Sequence, residues 1–165
     1  MKKSILTLII AFVAAFTTMA QMASPAATAE GTIDGVKIKI AYSQPSARGR
    51  KMIGGVDPYG KVWRTGANET TSIEFSAPVK IEGKSVAAGK YALFTIPGEN
   101  EWVIIINTGY GKMGAYDYKE SEDVIRATVK PTKTSAFVET FNIAVEKTQI
   151  VMKWENVQVA VKVSK

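Results

Sequence analysis

Neither cysteine nor histidine occurs anywhere in the 165 residues. Without cysteine there is no disulfide, no thiolate nucleophile, no zinc ribbon, no iron–sulfur cluster and no thioether-linked haem. Without histidine there is no Ser-His-Asp triad, no imidazole general base and no imidazole-ligated metal. Arginine is scarce, with four in the chain, at 48, 50, 64 and 126. No window of a dozen residues carries the 3.6-residue period of an amphipathic helix. What remains is 46% hydrophobic, too apolar for a disordered chain and sufficient for a core. No cofactor and no metal is expected from these residue types, and no catalytic motif is found.

Met1-Lys2-Lys3 is a short positive region, residues 5–16 carry no charge, and Thr18-Met19-Ala20 ends in small residues. That is the layout of a secretory signal peptide over residues 1–20, cut after Ala20. Such an apolar run spans roughly 18 Å as a helix, well short of the ~30 Å hydrocarbon core, so no membrane insertion is expected after cleavage. A lipoprotein would need cysteine at the cut, and no twin arginine precedes the apolar run. The protein is therefore expected to be exported, to a periplasm or the exterior. Residues 21–33 are small and polar and read as a flexible lead-in. Residues 34–165 read as one domain.

From Val36 onward the apolar period is two. Val36, Ile38, Ile40 and Tyr42 alternate with Lys37, Lys39 and Ala41, as in a strand with one wet face. Similar runs recur at 71–75, 79–81, 91–96, 102–107, 124–129, 137–145, 149–154 and 157–163, with turn signals between them, Glu155-Asn156 among them. Trp102 to Ile106 is continuously apolar, which predicts a central strand covered on both faces. Ser121 to Arg126 has room for one helical turn. Eight or nine short strands at this spacing predict an all-β fold, an antiparallel β-sandwich of jelly-roll type.

The chain's 21 basic and 15 acidic side chains are unevenly placed. Residues 48–64 hold Arg48, Arg50, Lys51, Lys61 and Arg64 against the single acid Asp57, with glycines at 49, 54, 55 and 60. Outside this segment and the signal, charges balance. Guanidinium forks and glycine-turn amides suit carboxylate, phosphate or sulfate, so the segment is a candidate anion-binding or acidic-polysaccharide-binding loop. The bland alternative is a solvated loop whose arginines pair with carboxylates such as Glu69 and Glu74.

Nucleic-acid binding is not expected, because the bases form one loop rather than a face with interleaved aromatics. Residues 55–62 nearly spell a phosphate-binding P-loop, but Val62 lacks the hydroxyl, Pro58 removes an amide donor and no helix follows. The simpler account is a type I turn over Asp57-Pro58-Tyr59-Gly60.

The stretches SQPSARGR (43–50), PYGKVWRTGANE (58–69), AGKYALFTIP (88–97), Glu101-Trp102, Gly114-Ala115-Tyr116 and DVIR (123–126) are similar to an exported bacterial family known as a domain of unknown function, number 2911. The likeness covers nearly the whole chain after the signal. It implies an exported, single-domain β protein, and no activity to carry over.

The residues themselves suggest a non-catalytic binding module for an anionic or carbohydrate-like ligand, with Arg48, Arg50, Arg64, Asn68 and Glu69 as the site and Tyr59 as a stacking surface. Asn68 suits a left-handed turn, and Glu69 could pair with Arg64 or Arg48. Trp63 reads better as core than as a sugar platform. Two alternatives stand beside this reading. One is a structural or envelope-assembly protein whose Arg–carboxylate network only stabilises the fold. The other is a glycan hydrolase using two carboxylates, for which the spacing of Asp57, Glu69, Glu74, Glu101 and Asp117 selects no pair. The acidic group Asp117, Glu120, Glu122 and Asp123 lacks a calcium-loop pattern. A long glycine- and tyrosine-containing loop, residues 108–123, would complete a cleft if it lay near the arginines.

Overall fold

The computed structural model describes residues 24–165, so the signal-peptide segment 1–20 lies outside the described residues. Ten strands follow one another in the chain. The first five are β1 (Ala26–Ile33), β2 (Val36–Ser43), β3 (Ser72–Phe75), β4 (Val79–Ile81) and β5 (Lys84–Val86). The second five are β6 (Gly89–Ile96), β7 (Trp102–Asn107), β8 (Asp123–Val129), β9 (Thr132–Val145) and β10 (Gln149–Ser164). They form two antiparallel sheets, one in the order β1-β2-β3-β6-β7-β8 and one in the order β5-β4-β10-β9. The fold is an all-β sandwich, as the alternating pattern predicts. A single 3-10 turn, Glu120–Glu122, is the only helical element among the described residues.

Three local expectations change. Ala26–Ile33, read as part of a flexible lead-in, is strand β1, paired along its whole length with β2. Its small residues have a structural use. Ala29 and Ile33 face the core, and a Cβ on Gly31 would come within 2.6 Å of the Val145 side chain. Glycine there lets β1 close against β9. The Glu155-Asn156 turn does not form either. The two expected strands around it are one 16-residue strand, β10, with register shifts against β9 on both sides of Glu155. Glu155 takes a left-handed φ of 51°, which marks the site as a bulge rather than a reversal. Finally, the proline turn is displaced by one residue. The Lys61 amide bonds to Pro58 O at 3.4 Å, the Gly60 amide bonds to Pro97 O, and Gly60 has φ 72°, as the third position of a type II turn requires.

The core lies between the sheets. Ile38, Ile40, Ile73, Phe75, Ile104 and Ile106 come from one side and Phe141, Met152, Trp154 and Val161 from the other. Trp63 is 5% exposed and stacks on Trp154 with ring centroids 5.6 Å apart, with Phe141 at 5.0 Å and Trp102 at 6.2 Å. Each such pair adds about 0.5–1.5 kcal/mol beyond burial. Trp63 is core, as its alternating neighbours suggest.

β7 is covered on both faces. Ile105 turns away from the main core and joins Ala92 and Phe94 in a second cluster, roofed by Val62, Ala115 and Tyr118. The outer faces of β6 and β7 are thus covered by the loop after β7, while those of β1, β2 and β3 stay open. Across that open face runs a row of alternating charge, Glu30, Lys39, Glu74 and Lys90, each opposite the next in register.

Candidate functional site

The chain between β2 and β3 is the long crossover that carries the basic residues. Its first half lies on the second sheet. The Ala47 amide bonds to Glu139 O and the Phe141 amide to Pro45 O, both at 2.9 Å. Two carboxylates from that sheet then hold the loop backbone. Glu139 Oε1 accepts from the Arg48 amide at 2.6 Å. The Glu155 carboxylate accepts from the Met52 and Ile53 amides at 3.0 and 2.8 Å. The bulge in β10 aims Glu155 at these donors. The second half of the crossover returns over β6, where Trp63 and Thr95 exchange backbone bonds of 2.7 and 3.0 Å, and buried Thr65 donates to Thr95 Oγ1 at 3.1 Å.

The acids that fasten the loop therefore bind its amides, and the guanidinium groups of Arg50 and Arg64 are left out of that arrangement. Arg50 donates from Nε to Ala47 O and from Nη2 to Ser46 O, both neutral acceptors. The Arg64 Nε is buried and has no hydrogen-bond partner among the described residues. Neither side chain makes an ion pair there, in contrast to Arg126, which holds Asp123 at 2.7 Å and Glu120 at 3.4 Å. Arg48 is exposed, with a left-handed φ of 52°. Tyr59 lies over Gly54, whose added Cβ would meet its ring at 2.5 Å, with Lys51 Nζ 5.9 Å from the ring centre.

Asp57 is the one acid of the segment. Burial pushes its carboxyl up to about 6, and the charge of Glu155 adds to that; Arg64 and Arg50 pull the other way. Asp57 thus senses Arg64 without forming an ion pair with it.

The rest of the expected site faces elsewhere. Asn68 adopts φ 58°, the left-handed conformation its type suggests, and donates to Ser24 O and Ser43 Oγ at 3.2 and 3.3 Å. Glu69 is exposed and makes no ion pair with Arg64 among the described residues; its backbone lies opposite that of Met113 in an isolated antiparallel bridge. It lines an outer-face groove of about 290 Å³ together with Ala26, Thr28, Ala41, Ser72 and Lys90. The six candidates therefore do not converge on one pocket. Arg48, Arg50 and Tyr59 lie on the loop's outward turn, Arg64 on its return, and Asn68 and Glu69 on the far side.

The tyrosine loop joins the last two places. The Gly114 amide bonds to Asn68 O at 3.1 Å and the Thr70 amide to Lys112 O at 3.0 Å. A Cβ on Gly114 would lie 2.9 Å from Arg64 Nη1 and 3.1 Å from the Tyr116 ring. With φ 67°, this glycine is what lets the loop pass over the guanidinium. At this point the tyrosine loop meets the arginine segment, through Arg64. Tyr110, Met113 and Tyr116 are 49, 60 and 90% exposed. Below them, Asp123 accepts from Tyr118 Oη, Arg126 Nε and Asn107 Nδ2, each at 2.7 Å, which fixes the loop's base. Glu122 is held by Lys112 at 3.3 Å and Lys119 at 3.6 Å. No set of acidic side chains able to hold a metal ion gathers among the described residues.

Sequence reading missed Glu139 and Glu155, which lie in distant strands and carry no local signal beyond an exposed acid in an alternating run. It also missed Lys90 and the small-residue floor of the groove, which are unremarkable until the sheet aligns them. A family model described as "Protein of unknown function (DUF2911)" matches residues 24–163. No curated protein and no solved structure matches the chain.

Proposed function

The chain belongs to the DUF2911 family of proteins of unknown function, and from that premise we propose that it is an exported, non-catalytic binding module that captures an anionic group at Arg64. The observation that carries this reading is the buried, unpartnered Nε of Arg64. A buried donor left unmade costs about 1–3 kcal/mol, which a carboxylate, sulfate or phosphate oxygen would recover. The guanidinium fork supplies two parallel bonds to such a group. Gly114 packs the tyrosine loop against the guanidinium, so an anion held there would lie beneath that loop, and Arg50 lies near enough to lower the Asp57 carboxyl as Arg64 does.

The purely structural alternative needs arginine–carboxylate pairs, yet Arg50 and Arg64 make none among the described residues, where Glu139 and Glu155 engage loop amides. Hydrolysis needs two carboxyl groups roughly 5–9.5 Å apart across a cleft; Glu69 is the one acid lining its groove, and in the larger groove over β1–β3, which holds Glu30 and Glu74, Glu30 is paired with Lys39 at 2.9 Å. Both observations support binding over the two rivals.

Sulfate, inorganic phosphate and oligogalacturonate, titrated calorimetrically and by thermal shift, test the reading. At least one should bind the wild type and raise its melting temperature. Arg64→Gln should abolish that response while leaving the melting temperature of the free protein within a few degrees. If no anion binds, or if Arg64→Gln chiefly unfolds the protein, Arg64 is structural and the reading is lost.

A further inference from the structure

We propose that the outer-face groove beside Glu69 is a second site, independent of Arg64, and that it takes a neutral oligosaccharide. Its floor is a patch of small outward-facing residues, Ala26 and Thr28 of β1, Ala41 of β2 and Ser72 of β3. Longer side chains rise beside this patch, Glu69 from the crossover and Lys90 from β6. That step in side-chain length makes the trough.

The groups on offer match hydroxyl-rich ligands. A carboxylate accepts from hydroxyl donors, an ammonium donates to hydroxyl acceptors, and Thr28 and Ser72 do both. One acid and one base at the rim cancel, so no net charge is selected. Beside Lys90 and Glu69 stand two exposed apolar side chains, Tyr110 and Met113. Tyr110 holds Lys90 Nζ 5.5 Å from its ring centre, and Met113 lies opposite Glu69. Sugar rings present both faces these groups want, hydroxyl edges and an apolar C–H surface for an aromatic ring.

A peptide strand is the less suitable occupant. β-Strand addition runs along a sheet edge, whereas this floor is the face of the sheet, crossing β1, β2 and β3.

A microarray of neutral and acidic oligosaccharides, with calorimetry on the best neutral hit, tests this on the full mature chain. At least one neutral oligosaccharide should bind. Glu69→Gln and Tyr110→Ala should each weaken it on the order of tenfold, the loss of one charged hydrogen bond or one stacking surface. Ala41→Leu, which fills the floor on an exposed face, should block it with folding intact. Arg64→Gln should leave it unchanged, which separates this site from the anion site. Retention of acidic glycans alone, or neutral binding indifferent to Glu69→Gln, Tyr110→Ala and Ala41→Leu, overturns the proposal.

Discussion

The carboxyl of Asp57 is drawn two ways, since burial and Glu155 favour its protonated form and Arg64 and Arg50 its charged form. Burial wins, and the folded value rises from 3.8 to about 6. Above pH 6 the group is ionised in both folded and unfolded chains, and its buried charge opposes folding. As the pH falls from 6 towards 4 the folded protein takes up the proton first, so this group adds stability in that window. The gain is on the order of 1 kcal/mol once solvent screening of a partly exposed group is allowed for. The same proton removes a negative charge beside Arg64. Sulfate affinity should therefore rise between pH 7 and pH 5 in the wild type, and the rise should be absent in Asp57→Asn when both are titrated calorimetrically. Equal pH dependence in the two proteins would rule out Asp57 as the cause. At this scale the sequence was informative about residue types and uninformative about convergence. Three arginines within one glycine-rich segment look like one site, but a crossover this long passes over both sheets and delivers its side chains to different faces.

Among the elements, β10 shows how a strand can act on a loop it does not adjoin in the chain. Its bulge places Glu155 in a left-handed conformation, and the carboxylate accepts two loop amides. Glu155→Ala keeps the unfavourable φ and loses both bonds, a loss of about 2–4 kcal/mol. Glu155→Gly loses the same bonds but adopts that φ freely, so it should be milder by about 1 kcal/mol. Urea denaturation of the two variants gives the difference directly, and an alanine variant as stable as the glycine one would mean the bulge relaxes without Glu155. Period-two alternation made β2, β3, β4 and most of β6, β8 and β9 legible, and an unbroken apolar run did the same for β7. β1 was hidden because its inward residues include alanine and glycine and its outward ones, Glu30 apart, are small, a composition shared with linkers. The bulge was hidden because Glu-Asn between two apolar runs is also what a turn requires, and which one forms depends on the partner strand.

For the whole molecule, neighbouring strands are often far apart in sequence: β3 pairs with β6, and β4 pairs with β10. No cysteine cross-links the unfolded chain, so loop closure must be met entirely by sheet pairing and core burial. Folding of such a topology belongs to the millisecond-to-second range. Stopped-flow refolding followed by the fluorescence of the Trp63–Trp154 stack should show its main phase there, and submillisecond refolding would contradict a nucleus built from these distant pairings.

The row Glu30, Lys39, Glu74 and Lys90 on the open sheet face carries a kinetic consequence. Alternating charges a strand apart cancel within a few ångströms, well inside the ~8 Å screening length of physiological salt. Little field reaches into solvent above that face, and whatever arrives there does so by unguided diffusion, at a rate indifferent to ionic strength. The arginine segment keeps a net positive charge even with Asp57, Glu139 and Glu155 beside it, and it draws anions toward itself at a rate that falls as salt is added. One small domain thus presents two faces that molecules meet under different rules of approach.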